Sequence, residues 1–151
     1  MSDRKPTTRP PRLEFHHINY VADDVDRMHA FYTGVLGLDN IDASQFPRTK
    51  AQGDKGFDGP IQFATDGKVQ MHLAERALNL AFHNGQTINP LERGHIAFRT
   101  DDLARFLDVL DENNIPYSDY GTAFSQEWHQ VFFMDPEGNI IEVHQQVSQA
   151  D

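Results

Sequence analysis

Four residues of this chain have the types and setting to hold a divalent metal: His17, His72, His95 and Glu142. Three imidazoles and one carboxylate suit Fe(II), Mn(II), Co(II), Ni(II) or Zn(II), and disfavour Ca(II), which takes oxygen ligands. His17 and His95 carry the strongest signal, because each opens a copy of one stretch. His17-Ile18-Asn19-Tyr20-Val21-Ala22-Asp23-Asp24-Val25 returns as His95-Ile96-Ala97-Phe98-Arg99-Thr100-Asp101-Asp102-Leu103. His72 sits in the segment Val69-Gln70-Met71-His72-Leu73-Ala74, and Glu142 in Ile140-Ile141-Glu142-Val143-His144. Gln70, two residues from His72 on the same strand face, is the alternative ligand. His144 shares the face of Glu142 by strand parity, and His129 lies in the facing strand. Either can support a ligand or serve, with Glu142, as an acid or base toward substrate.

The elements that must position these residues repeat with them. The first strand covers 15–21, Asp23 or Asp24 caps a helix bearing Val25, Met28, Tyr32 and Val35, and Gly37 ends it. The polar, turn-rich stretch 42–60 reads as a long mobile loop of the kind that covers a site. Strands 61–64 and 68–74 follow as a hairpin about Asp66-Gly67. After a connection over 75–93 the plan recurs. A strand over 95–99 leads into a helix with Leu103, Phe106, Leu107 and Leu110 on one face, halted by Asn113-Asn114 and Pro116. A short strand over 117–120 and a hairpin of 128–134 with 139–145 about Asp135-Pro136-Glu137-Gly138 complete it. Strand side chains alternate faces, so one inward residue from the first and last strand of each half can converge on one ion. The expected class is α+β, a single domain over 14–146, with module one at about 14–75 and module two at about 94–146. Residues 1–13, basic and proline-rich, are expected to be a disordered arm.

Composition narrows the partners. The 151 residues carry 13 Lys and Arg against 23 Asp and Glu, a net charge of −10, which argues against nucleic acid. No apolar run is long enough for a membrane span. Cysteine is absent, so thiolate ligands, thiol nucleophiles and disulfides are excluded. A cytoplasmic enzyme or binding protein is the expectation. His16, His29 and His83 are expected at the surface, and Trp128, Phe132, Phe133 and Phe98 in the core, with Trp128 also able to line a cavity.

Several motifs in order carry a family resemblance: His17-Ile18-x-Tyr20, Phe31-Tyr32-x-x-Val35-Leu36-Gly37-Leu38, Met71-His72-Leu73, Gly94-His95-Ile96-Ala97-Phe98 and Asp135-Pro136-Glu137-Gly138-Asn139-x-x-Glu142. Over about 14–146 the chain resembles the vicinal oxygen chelate superfamily of glyoxalase I, extradiol dioxygenases, epimerases, fosfomycin-resistance enzymes and bleomycin-binding proteins. The resemblance implies two βαβββ modules curving a mixed sheet around a divalent metal, a small-molecule substrate and a homodimer. His17, His95 and Glu142 match the family's first-strand and last-strand ligand positions. His72 stands where glyoxalase I has a glutamate and epimerases a glutamine. The implied function is metal-assisted lyase, isomerase or transferase chemistry on a small oxygen-rich molecule. Fe(II)-dependent ring cleavage of a diol and ligand binding without turnover are the alternatives. An aromatic cavity favours ring cleavage, and a polar cationic one a thiol- or phosphonate-handling transferase.

Overall fold

The computed structural model describes residues 8–52 and 55–147, so residues 1–7 of the expected arm lie outside the described residues. Its elements in chain order are β1 (Glu14–Ala22), α1 (Val25–Ala30), β2 (Asp39–Ile41), β3 (Ile61–Thr65), β4 (Gln70–Glu75), α2 (Leu80–His83), β5 (His95–Arg99), α3 (Leu103–Glu112), β6 (Tyr117–Gly121), β7 (Trp128–Met134) and β8 (Ile140–Gln146). Eight strands form one sheet in the order β2-β3-β4-β1-β5-β8-β7-β6. β1 pairs with β4 and β5 pairs with β8, both parallel, and β1 meets β5 antiparallel at the centre. The repeat in sequence is therefore a pseudo-twofold in space, with its axis between β1 and β5. The α+β class and the two-half plan hold. No helix among the described residues is long and apolar enough to cross a membrane.

The second aspartate of each repeated pair does the capping. Asp24 accepts from the Arg27 N–H at 3.0 Å and Asp102 from the Arg105 N–H at 3.1 Å, each satisfying a donor that the first helical turn leaves free. The first helix is shorter than its apolar spacing suggests. After Ala30 the chain widens into a π turn over Phe31–Val35. α3 presents Leu103, Phe106 and Leu110 to Val131, Phe133 and Val143, closing the core on one face of module two. Burying each such side chain contributes roughly 1.5–3 kcal/mol. Val25, with Met28 and Tyr32 beside it, does the same over Leu73 in module one. With both helices on one face, the opposite face of the sheet is left for chemistry. Residues 45–48 and Phe57 cover part of that face, tied down where Thr49 donates through Oγ1 to the Thr122 carbonyl at 2.6 Å.

Gly94 sets the approach of β5 to β1. Its φ is +85°, and a Cβ there would lie 2.4 Å from the Asn19 carbonyl oxygen. Gly94→Ala is expected to cost roughly 2–4 kcal/mol in urea denaturation, combining left-handed strain with a backbone clash that cannot relax. A variant as stable as the parent would contradict this packing.

Candidate metal centre

The strand registers lay the candidate residues out as a grid. His17 on β1 stands beside Gln70 on β4 and Ala97 on β5, and Asn19 stands between His72 and His95. Ala97 in turn adjoins Glu142 on β8, and Arg99 adjoins His144. On β7, Phe132 and Gln130 flank Glu142 and His144. The cavity these side chains line is built within a single chain, because β1 and β5 are neighbours.

His17, His95 and Glu142 come together with their ligand atoms within 4.8 Å of one another. His95 Nε2 lies 3.1 Å from Glu142 Oε1, and His17 Nε2 lies 3.6 Å from the same oxygen. All three side chains are buried, Glu142 to 1% exposure. His95 Nδ1 sits 2.9 Å from the Pro90 carbonyl oxygen, which can only accept, so Nδ1 carries the hydrogen. His95 Nε2 is thereby left facing Glu142 Oε1 at 3.1 Å, where both atoms can turn to one ion. Burial pushes the His17 imidazole down from its ordinary pKa against the pull of Glu142, which keeps its lone pair available. For Glu142, burial acts upward. The contacts with His17, His144 and His95 outweigh it and hold the carboxyl well below the usual range. Imidazoles beside an ionised carboxylate fit a divalent first-row ion or zinc.

The second oxygen of Glu142 is spoken for. Arg99 donates through Nε to His144 Nε2 at 3.0 Å, so His144 carries its hydrogen on Nδ1 and donates it to Glu142 Oε2 at 2.6 Å. Trp128 stacks on the His144 ring, with centroids 4.5 Å apart and planes 3° from parallel. Gln130 adds a longer bond to Oε1 at 3.4 Å. Glu142 is clamped from several sides. His144 uses both nitrogens in this clamp and supports the carboxylate rather than facing the cavity.

His72 lines the cavity with its ring stacked on His17 at 3.7 Å and its Nε2 2.8 Å from Gln70 Oε1. Neither His72 nor Gln70 belongs to the convergent trio. His16, expected at the surface, lines the cavity as well. The register slips between Phe15 and His17, and this bulge places two successive histidines toward one face. His16 Nδ1 lies 2.8 Å from His17 Nδ1. Burial above all, then His17, His144 and Arg99, lowers the His16 imidazole to about 3. His129 does not join the site. Trp128 and Gln130 take the inward positions of β7, so His129 points to the other face and bonds Asp119 at 2.8 Å.

The cavity measures about 280 Å³. Phe46, Phe63, Phe124, Trp128 and Phe132 supply aromatic wall; Phe132 also packs in the core with Ile88, Tyr120 and Ile140, and Phe133 packs in the core beneath α3. Arg48 and Arg99 are its cations. Asn19 Oδ1 and Gln130 Oε1 are buried there without a hydrogen-bond partner. Gln130 was legible in principle, since it alternates with Trp128 and Phe132 against Val131 and Phe133. Phe46 and Arg48 come from an aperiodic loop and carry no such signal.

Comparison with known proteins agrees with this architecture. The chain is 24% identical over 152 residues to a lactoylglutathione lyase of Pseudomonas putida, covering 87% of this chain and 84% of that protein. Hypothetical protein BH1468 of Bacillus halodurans C-125 has the same fold, with a TM-score of 0.63 at 18% identity, covering 92% of this chain and 98% of that one. A variant of homoprotocatechuate 2,3-dioxygenase from B. fuscum superposes with a TM-score of 0.61 at 14% identity, covering 99% of this chain but 37% of that longer one. The sequence pattern of one family spans residues 14–143, nearly all of the gridded sheet, and the chain belongs to it: the Glyoxalase/Bleomycin resistance protein/Dioxygenase superfamily.

Proposed function

We propose that this protein is a divalent-metal enzyme acting on two adjacent oxygens of a small molecule, with His17, His95 and Glu142 holding the ion. The observation that carries the reading is the convergence of buried His17, His95 and Glu142, whose ligand atoms all lie within 4.8 Å of one another. When bound, the ion would act as a Lewis acid for negative charge developing on a substrate oxygen. The protein's own groups then divide the remaining work. Glu142 is clamped by His144 and Gln130, so it serves as ligand and not as a swinging base. His16 and His72 line the cavity wall as neutral imidazoles able to accept a hydrogen bond from the substrate, though burial makes each a weak base. His72 either completes the ligand shell after releasing Gln70 or acts in this way. Lyase, isomerase or transferase chemistry follows from that division.

The aromatic wall favours a second reading, iron-dependent ring cleavage of a diol, for which two histidines and one carboxylate are a fitting ligand set. A homodimer belongs to the same proposal. Tyr20 on the helix-covered face of β1 is 44% exposed, Phe31 47% and Val35 71%, and Tyr20 and Phe31 both meet the Tyr32 ring.

The test is metal analysis after anaerobic purification without a chelating tag, beside a His95→Ala variant. Near-stoichiometric metal lost in the variant is the expected result. Iron directs the next assay to catechols under O₂, and nickel, zinc, manganese or cobalt to isomerase and lyase substrates. No metal even after reconstitution would overturn the proposal in favour of a binding protein.

A further inference from the structure

The geometry points to an anion subsite at Arg99, making the substrate a small ring-bearing carboxylate whose acidic group docks on this guanidinium. The inference deepens the metal-enzyme reading and rests on it for the placement of the substrate's other end. Arg99 lines the cavity half-buried, in a protein with ten more acidic than basic residues, yet no described carboxylate lies within ion-pair distance of it. Burial lowers its pKa, with Glu142 and Glu14 opposing, so the guanidinium is desolvated without a direct counter-ion. A cation in that state gains most from an anion delivered by a ligand. Nε is committed to His144, and the guanidinium lies 5.3 Å over the Trp128 ring. The two terminal nitrogens remain, preorganised for a planar carboxylate.

Spacing sets the size. Arg99 Nε reaches Glu142 across one imidazole, 3.0 Å to His144 Nε2 and 2.6 Å from its Nδ1 to Oε2, a span of at most about 8 Å. That separation suits one ring between the oxygens at the metal site and the carboxylate. Phe46 and Phe63, themselves stacked at 4.0 Å, provide the apolar wall for such a ring. Gln130 adds polarity of the complementary kind. Its Nε2 faces Glu142, which turns Oε1 away from the carboxylate as an unpartnered acceptor for a substrate hydroxyl. Arg48, across the cavity, is not equivalent, because its terminal nitrogens are held by the Gly59 and Phe57 carbonyls.

Trp128 is the only tryptophan of the chain, so its fluorescence reports on this subsite. The experiment titrates the full chain, first stripped with EDTA and then zinc-loaded, with benzoate and with neutral benzamide, following fluorescence and heat. Benzoate is expected to bind roughly 10- to 100-fold more tightly than benzamide to the stripped protein. Arg99→Gln is expected to erase that preference and Arg99→Lys to restore part of it. Equal affinity for the two probes on the native chain overturns the subsite, whether or not the variants fold. Undiminished benzoate binding by folded Arg99→Gln overturns it too. Failure of the metal reading looks different: zinc produces no heat, while the benzoate preference of the stripped protein persists.

Discussion

Glu142→Gln is expected to abolish tight metal binding while leaving the protein folded. Glu142 Oε1 is the only anionic donor of the convergent trio, and its side chain is buried. An amide keeps its shape and loses its charge, leaving two neutral imidazoles to hold a dication. The expected fall in zinc affinity, measured by chelator competition, is at least about 100-fold, beyond the 10–100-fold typical of a supporting residue. His144→Phe should fall within that smaller range, because it keeps the ligand and loses the bond to Oε2 together with the acceptor for Arg99 Nε. Thermal melts give an independent check. An ion at 100 times its Kd stabilises the native state by about 2.7 kcal/mol, and this zinc-dependent increment over each variant's own metal-free melt should vanish in Glu142→Gln. Persistence of the zinc-induced shift would mean that the ion sits elsewhere.

The convergence of His17, His95 and Glu142 was legible because its signal is local and doubled. A histidine opening each copy of a repeated strand fixes which strands meet at the pseudo-twofold, and alternation then fixes which face they share. The same alternation carried Glu142 and His144 to one side of β8. His129 failed on that rule, since parity within β7 depends on which neighbour faces the cavity, and Trp128 and Gln130 hold those positions. His16 was hidden by the opposite cause. A one-residue bulge breaks alternation, and nothing in Phe15-His16-His17 announces where the register slips. The bond network around Glu142 was beyond reach for a third reason. Arg99, His144 and Trp128 come from three strands, and their stacking depends on sheet twist rather than on spacing within any one segment.

Acid should unfold the metal-free protein with a steepness set by its buried histidines. His17 and His72 have their pKa values lowered, chiefly by burial, from 6.5, a value they regain on unfolding. Below pH 6.5 the unfolded chain therefore takes up protons that the native state refuses, and stability falls as pH falls. Each proton that the native state refuses adds a slope of at most about 1.4 kcal/mol per pH unit, so stability should fall measurably between pH 8 and pH 5.5. His16, brought down to about 3, acts in the same direction, moderated by its partial exposure to solvent. Glu142 reinforces the trend at lower pH. Its carboxyl is held below 4.5, so the stability it adds is present above that value and is lost as pH falls through its folded pKa. Urea denaturation in EDTA at pH 8, 6.5 and 5.5 measures the slope directly. His72→Gln should reduce it by one proton, and saturating zinc should shift the onset to lower pH, because the ion and the proton compete for the same His17 lone pair. A flat profile from pH 8 to 5.5 would contradict neutral, buried imidazoles in the native fold, and with them the electrostatic basis for placing a dication among His17, His95 and Glu142.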